Sequence, residues 1–470
     1  MGLNFSRRNF LKTSALVAGA STVGGCTSGP LTLGKSNMCG FAAPKIDKIR
    51  VAIIGLGNRG SAAVQRLMKI ADLEIVALSD LREAQVKKSN QLLIDAGLKP
   101  AKEFHAGPDD YKKICEMDID LVYCCTSWEY HTPIAVYAMK HGSHTATELP
   151  AGKTIDELWE LVETSEATKK HCMMLENTCY DFFELNSLNM VRHGVFGEIT
   201  HAEGAYIHTI VKYISGETES YYKNWRLDEN TGVHGSLYPT HGLGPVAQCM
   251  NINRGNQFDY MVSMSSQEAA FSEFTRQHKR PDLLRENYRG DMNTSIIKTT
   301  LGQTIMVQHD VSTPRPYSRI HMLQGSRGML RKYPREEYAL ISDHDGHGWL
   351  DEEAKNALEE KYKHPLIKTM GDIAQKVGGH GGMDFMMDYR LIYCLKNGLA
   401  LDQDVYDAAS WSSIIPLSID SVAKRSASLD VPDFTRGNWK TNKPLGIVDV
   451  NPKKLRLHDT TQAKGQLNVH

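Results

Sequence analysis

The sequence predicts an α/β protein, with an N-terminal doubly wound parallel sheet followed by an α+β domain built on a large, open, mainly antiparallel sheet. Three observations predict it. Short apolar runs alternate with helical patterns over residues 48–178, a glycine-rich turn joins the first run to the first helix, and beyond Asn177 the rhythm changes to alternating apolar and polar residues. A chain of 470 residues has room for two full cores.

The elements follow in order. "SRRNFLK", Ser6 to Lys12, carries the paired arginines, Phe, Leu and Lys of a twin-arginine export signal, followed by a weakly apolar run too short to span a bilayer. "TVGGC" resembles a lipobox ending at Cys26, with Val23 where Leu is preferred, so residues 1–26 read as an export signal and 27–47 as a Gly/Ser/Pro-rich tether. "KIRVAIIGLG" is a continuous apolar run, the pattern of a parallel strand buried on both faces. "GSAAVQRLMKIA", "REAQVKKSNQLLIDAG" and "HTPIAVYAMKHG" have helical spacing, while "LEIVALSD", "IDLVYCCTS" and "SHTATELP" read as the intervening strands. Residues 179–470 form the second domain, with strands at "ITHAEGAYIH", "FDYMVSMSSQ", "TSIIKTTLGQTIMVQHDV" and "SRIHMLQGSRGMLRKY". Helices are expected there at "DFFELNSLNMVRHG", "EEAKNALEEKY" and "MDFMMDYRLIYCLKNG".

Composition narrows the function. A formal net charge of -1, without interleaved basic and aromatic residues, offers no field for nucleic acid. The nine cysteines form no CxxC pair and no zinc-spaced Cys/His cluster, so they are expected as buried thiols and no metal is expected. Cys124 and Cys125 read as small core residues at a strand end.

Gly55, Gly57 and Gly60 give G-x-G-x-x-G between strand and helix, the fingerprint of a Rossmann dinucleotide site. The first glycine permits the turn, the second lets pyrophosphate approach the backbone, and the third lets the helix pack closely. Asp80, 20 residues after Gly60, ends the second strand where a carboxylate can accept from ribose hydroxyls and repel a 2'-phosphate, favouring NAD over NADP.

At these residues the chain resembles the glucose-fructose oxidoreductase, inositol dehydrogenase and MocA family, whose members carry Glu-Lys-Pro at the end of a later strand. Here that place reads Glu148, Leu149, Pro150, without the lysine. "GLGNRG", "SWEYHTP", "ELPAG", "ENTCY", "NWRLDENTG", "YPTHGLGPVAQCMNINRGNQFDYM" and "GGHGGMDFMMDYR" together resemble glycoside hydrolase family 109, the NAD-dependent α-N-acetylgalactosaminidases. The resemblance implies NAD contacts from Asn58, Arg59, Asp80, Trp128 through His131, Glu148, Leu149 and Asn177. It implies sugar contacts from Tyr206, Arg226, Tyr238, Pro239, Thr240, His241 and Tyr317.

The residues themselves suit that chemistry. His241 can move a proton near neutrality, with Tyr238 or Tyr206 assisting, although a helix-capping or core histidine has the same signature. Arg226 beside Trp225 offers fixed donors next to an apolar face; a surface cation-π pair is the plainer alternative. "GGHGGM" can bring His380 toward the site, or merely lead into a helix.

An exported enzyme lacks a supply of NAD and a partner to reoxidise NADH, so the cofactor is expected to be tightly bound and recycled in each turnover. NAD-dependent glycosidase chemistry meets this demand: oxidation at C3, loss of the C2 proton, elimination at C1, addition of water and reduction. The alternatives are an exported oxidoreductase that couples oxidation of one sugar to reduction of another on trapped NAD(P), and a non-catalytic NAD- or sugar-binding surface protein. The expected partner is a glycan or glycoside, the expected location the periplasm or a lipid-anchored membrane surface, and the open sheet offers a face for a homo-oligomer.

Overall fold

The computed structural model describes residues 36–216, 221–341 and 347–458; the expected export signal, Cys26 and the first part of the tether lie outside them. The six strands of the first sheet lie in the order β3-β2-β1-β4-β5-β6, all parallel. They are β1 (Ile49–Ile54), β2 (Leu73–Ser79), β3 (Lys102–Phe104), β4 (Leu121–Cys124), β5 (His144–Thr147) and β6 (Cys172–Met174). In β1, "IRVAII", every side chain but that of Arg50 is buried, because helices cover both faces of a doubly wound sheet.

The second sheet has eight strands in the order β13-β12-β11-β7-β10-β9-β8-β14. These are β7 (Ile199–Ile207), β8 (Phe258–Ser265), β9 (Asn293–Thr299), β10 (Thr304–Asp310), β11 (Met322–Gly325), β12 (Gly328–Arg331), β13 (Glu337–Leu340) and β14 (Leu429–Asp430). Its pairs are antiparallel except β7 with β10, which run parallel. Burial alternates along β9, so one face rests on the core. The other presents Tyr260, Val262 and Met264 of β8 opposite Lys298, Ile296 and Thr294 of β9.

Residues 36–47, in the expected tether, pack against the second domain: Met38 and Ala43 are buried, and the Met38 amide donates to the Tyr406 hydroxyl at 3.2 Å. Residues beyond 178 also reach the first domain. Leu457 bridges Ile70, Arg456 pairs with Asp72 at 2.7 Å, and Arg66 donates to Asp388 at 2.7 Å, so residues 456 and 457 and the helix Met383–Asn397 pack against the first domain. Apolar surface left by each domain is buried by the other, and one hydrophobic cluster runs through both.

Candidate active site

A cleft of about 610 Å³ lies where the C-terminal ends of the parallel strands face the second sheet. Its floor is the glycine turn. Gly55 has φ +88°, and a Cβ there would lie 2.5 Å from the Cys125 carbonyl oxygen; a Cβ on Gly60 would lie 1.8 Å from the Gly55 oxygen. Gly57 differs, since a Cβ there would meet only the Arg82 guanidinium at 3.8 Å, leaving the open space that pyrophosphate requires. Asn177 lines the cleft with a buried Oδ1 that has no partner, while its Nδ2 donates to Asp384 at 2.5 Å. A bare glycine turn and an orphaned acceptor in one cleft fit a dinucleotide.

Asp80 lines this end and accepts from the Leu56 amide at 2.8 Å and from Arg82 Nε at 3.0 Å. Arg82 thus pairs with the Asp80 carboxylate at the cofactor end of the cleft. Asn58, Trp128, Glu148 and Leu149 also line the cleft. Arg59 joins them, donating through Nε to Glu148 at 2.7 Å and through Nη1 to Asp384 at 3.0 Å. Burial alone would raise the Asp384 carboxyl, but Arg59, Arg66 and His380 hold it well below its usual range. His131 reaches the cleft wall but is fully buried, its ring nitrogens 2.6 and 3.1 Å from the Pro150 and Thr126 carbonyls. Its ring holds two loops in register. Cys125, expected in the core, is half-buried and lines the cleft; burial raises its thiol well above the usual value.

The second domain supplies the opposite wall. The helix Thr240–Cys249 lies directly on β7, because Gly204 and Gly242 meet: a Cβ on Gly242 would sit 2.1 Å from the Ala205 nitrogen. That contact brings Tyr206 of β7 against His241 in the helix's first turn, with ring centroids 5.1 Å apart. Tyr238 completes the triangle, 5.0 Å from each. Pro239 and Thr240 are buried at the helix start, between the cleft-lining Tyr238 and His241.

His241 is anchored from behind. Its Nδ1 lies 2.7 Å from Oε1 of Glu176, a fully buried carboxylate that also accepts from the Thr178 hydroxyl at 2.6 Å. Gly244 makes this possible, as a Cβ there would lie 2.9 Å from Glu176 Cγ. Burial would raise the Glu176 carboxyl, but His241 and the two Thr178 donors pull it below its ordinary value. An ionised partner on Nδ1 fixes the imidazole tautomer and leaves Nε2 to exchange a proton.

Arg226 is buried with its guanidinium 4.8 Å from the Tyr238 ring and 5.0 Å from Trp128. Its Nη1 donates to the Tyr221 hydroxyl at 3.1 Å, and its Nε is a buried donor without a partner. Trp225 packs edge-on against Trp128 at 5.4 Å. Tyr317 stands at the exposed rim, where its hydroxyl accepts from Arg319 at 3.0 Å. His208, beside Tyr206 at 4.7 Å, lines the cleft with its imidazole pushed down to about 4 by burial and by the charges of His241 and Arg226.

Sequence reasoning missed Glu176, Asp384 and His208. Glu176 adjoins Asn177 inside "ENTCY", and Asp384 follows His380 by four residues, one helical turn, so both stood within quoted motifs. The only lysine among the described lining residues is the exposed Lys223.

Residues 49–176 match the oxidoreductase family NAD-binding Rossmann fold, 180–441 the glycosyl hydrolase 109 C-terminal domain, and 4–24 the twin-arginine translocation signal sequence. A glycosyl hydrolase family 109 protein of Porphyromonas gingivalis is 47% identical over 419 residues, covering 86% of this chain and 88% of its own. An alpha-N-acetylgalactosaminidase of Bacteroides fragilis is 46% identical over 415 residues, covering 87% and 97%. Among solved structures, an NAD binding oxidoreductase from Klebsiella pneumoniae superposes with a TM-score of 0.64 at 14% identity, covering 83% of this chain and all of that one.

Proposed function

The chain belongs to glycosyl hydrolase family 109 and is an NAD-dependent glycoside hydrolase carrying a twin-arginine export signal; from that premise we propose that it removes terminal α-N-acetylgalactosamine from glycans by a redox-neutral elimination and addition. The name of the B. fragilis relative supports the sugar. The observation that carries the mechanism is the Glu176–His241 pair beside Tyr206 and Tyr238, in one cleft with the dinucleotide turn.

In this reading Asn58, Arg59, Asp80, Trp128, Glu148 and Asn177 hold NAD, which when bound supplies a hydride acceptor that also returns the hydride, so that C3 of the sugar can become a ketone and be restored. A ketone at C3 makes the C2 proton acidic. His241 is the first choice to take that proton through Nε2 and give it back, with Glu176 stabilising the imidazolium. Burial keeps the Tyr206 and Tyr238 phenols protonated, as donors to sugar oxygens, raising both above the ordinary range against the opposing charge of Arg226. Arg226 offers its unpartnered Nε to a sugar oxygen or to the acetamido carbonyl, and Trp128 and Trp225 offer apolar faces. Leu149 is buried where dehydrogenase relatives carry the lysine, which disfavours both the net oxidation and the paired-sugar alternative.

The cofactor is tightly held and recycled, the mature protein is periplasmic or anchored through lipidated Cys26, and the sheet face bearing Tyr260, Met264 and Ile296 pairs with a second copy. These are parts of the same proposal. The test is hydrolysis of an aryl α-N-acetylgalactosaminide in deuterium oxide with no added cofactor. Released sugar carrying deuterium at C2 is expected; release with hydrogen retained at C2 would overturn the elimination route.

A further inference from the structure

A cofactor that is to be recycled must be kept from dissociating, and the glycine turn with Asp80 supplies only one wall of its site. The opposite wall comes from the second domain. Residues 221–229 run along it as one segment, a tight turn over Tyr222–Asn224 followed by the helix Trp225–Glu229. Tyr221, Tyr222 and Arg226 of this segment line the cleft.

The segment joins the two ends of the cleft. At the sugar end Arg226 lies against Trp128 and Tyr238 and donates to the Tyr221 hydroxyl at 3.1 Å. At the Asp80 end the Tyr222 ring meets Arg82, whose guanidinium carbon lies 5.1 Å from the ring centroid. Consecutive tyrosines thus serve opposite walls, Tyr221 its own domain and Tyr222 the nucleotide domain.

Both halves of this contact are held in place. Lys223 and Asn224 are left-handed, with φ +56° and +54°, and the Asn224 amide donates to the Tyr221 carbonyl at 2.8 Å. Lysine rarely adopts that backbone, so the surroundings impose the turn. Beyond it, Glu229 at the end of the segment pairs with Lys153 of the nucleotide domain at 2.7 Å. Arg82 is fixed by Asp80, to which its amide and Nε donate at 2.9 and 3.0 Å and its Nη2 at 3.4 Å. A Cβ added to Gly57 would find that Nη2 at 3.8 Å, so the guanidinium stands beside the turn that receives pyrophosphate. Its edge is taken by a carboxylate, and its face is left for an aromatic ring.

Resting on the reading above of a tightly held, recycled cofactor, we propose that Tyr222 and Arg82 form a latch across the adenosine half of the NAD site. The nucleotide domain binds the dinucleotide and the sugar domain retains it, because NAD leaves only when the Tyr222 ring parts from Arg82. Retention then belongs to residues outside the glycine fingerprint.

The test measures release of the cofactor. Holoenzyme is equilibrated with NAD radiolabelled in the adenine and mixed with excess unlabelled NAD, and the label remaining on the protein is followed by gel filtration. Tyr222→Ala should release label about tenfold faster than wild type, while Tyr222→Phe, which keeps the ring face, should stay within about twofold. Arg82→Met should also release faster. The double variant should be no faster than the faster single one, because both residues act through one contact.

Release from Tyr222→Ala at the wild-type rate would overturn the proposal, as would equal losses in Tyr222→Phe and Tyr222→Ala. Effects that multiply in the double variant would overturn it too, making Tyr222 and Arg82 independent cofactor contacts. Wild-type protein that purifies without NAD, or exchanges it within the mixing time, would sink the reading of a recycled cofactor, and the latch with it.

Discussion

Glu176 shows what one buried carboxylate does for this site. It has no exposure, binds His241 Nδ1 at 2.7 Å, and leaves its second oxygen without a partner, an arrangement that is costly unless the charge is used. Glu176→Gln keeps the shape and the Thr178 bonds but withdraws the charge that stabilises an imidazolium. We expect kcat/KM to fall by about 100-fold or more with bound NAD unchanged, read by glycoside hydrolysis and cofactor content. The stability effect has a defined sign: the depressed carboxyl contributes fully above about pH 4.3 and loses its contribution as pH falls through its folded value. Acid melts of wild type and Glu176→Gln should therefore converge once the pH has fallen through the lowered folded-state value of Glu176. His241, Tyr238, Tyr206 and Arg226 were legible as candidates because each stands in a motif with suitable chemistry. The pairing of Glu176 with a histidine 65 positions later was not, since only tertiary packing sets it.

At the scale of elements, glycines divide into those that serve packing and those that serve a ligand. Gly242 and Gly204 let a helix touch a strand, and a Cβ on Gly242 would lie 2.1 Å from backbone that cannot yield cheaply. Gly242→Ala is expected to destabilise by about 3 kcal/mol, measured by denaturant unfolding, and to separate Tyr206 from His241. Gly57→Ala should behave oppositely. Its Cβ meets nothing closer than 3.8 Å, so the fold should melt as wild type while NAD content of the purified protein falls. The same residues explain what sequence pattern failed to reveal. The helix Thr240–Cys249 reads "THGLGPVAQC", whose two glycines and proline suppress a helical signal, yet Gly242 lies there because the helix meets β7. Strands β3 and β6, three residues each, are too short for any periodicity to mark. The parallel pairing of β7 with β10 joins segments about 100 residues apart, and alternation along a strand carries no information about its partner.

At the scale of the molecule, the two domains are bound together by buried polar groups as well as by apolar surface. Arg66 reaches Asp388, Arg456 reaches Asp72, and Tyr123 donates to Asp388 at 2.8 Å, so the cofactor and sugar walls are held at a fixed separation. Many histidines in this structure are buried and uncharged. Burial lowers His144 to about 2 and His171, His321 and His364 to about 4, and takes His309 well below its ordinary value. In the unfolded chain each would titrate near pH 6.5. Between about pH 6.5 and pH 4 the unfolded state therefore binds protons that the folded state refuses, and stability must fall as pH falls. Each such histidine costs up to about 1.4 kcal/mol per pH unit across that window. Thermal unfolding at pH 7 and pH 5 should give a lower midpoint at pH 5, with a proton uptake on unfolding that exceeds one. An unchanged midpoint would mean that these imidazoles are charged in the folded protein. The consequence reaches the proposed mechanism: burial keeps His208 and His309 neutral, so neither is suited to donate a proton there, and the role falls to His241, whose Nδ1 has the Glu176 carboxylate behind it.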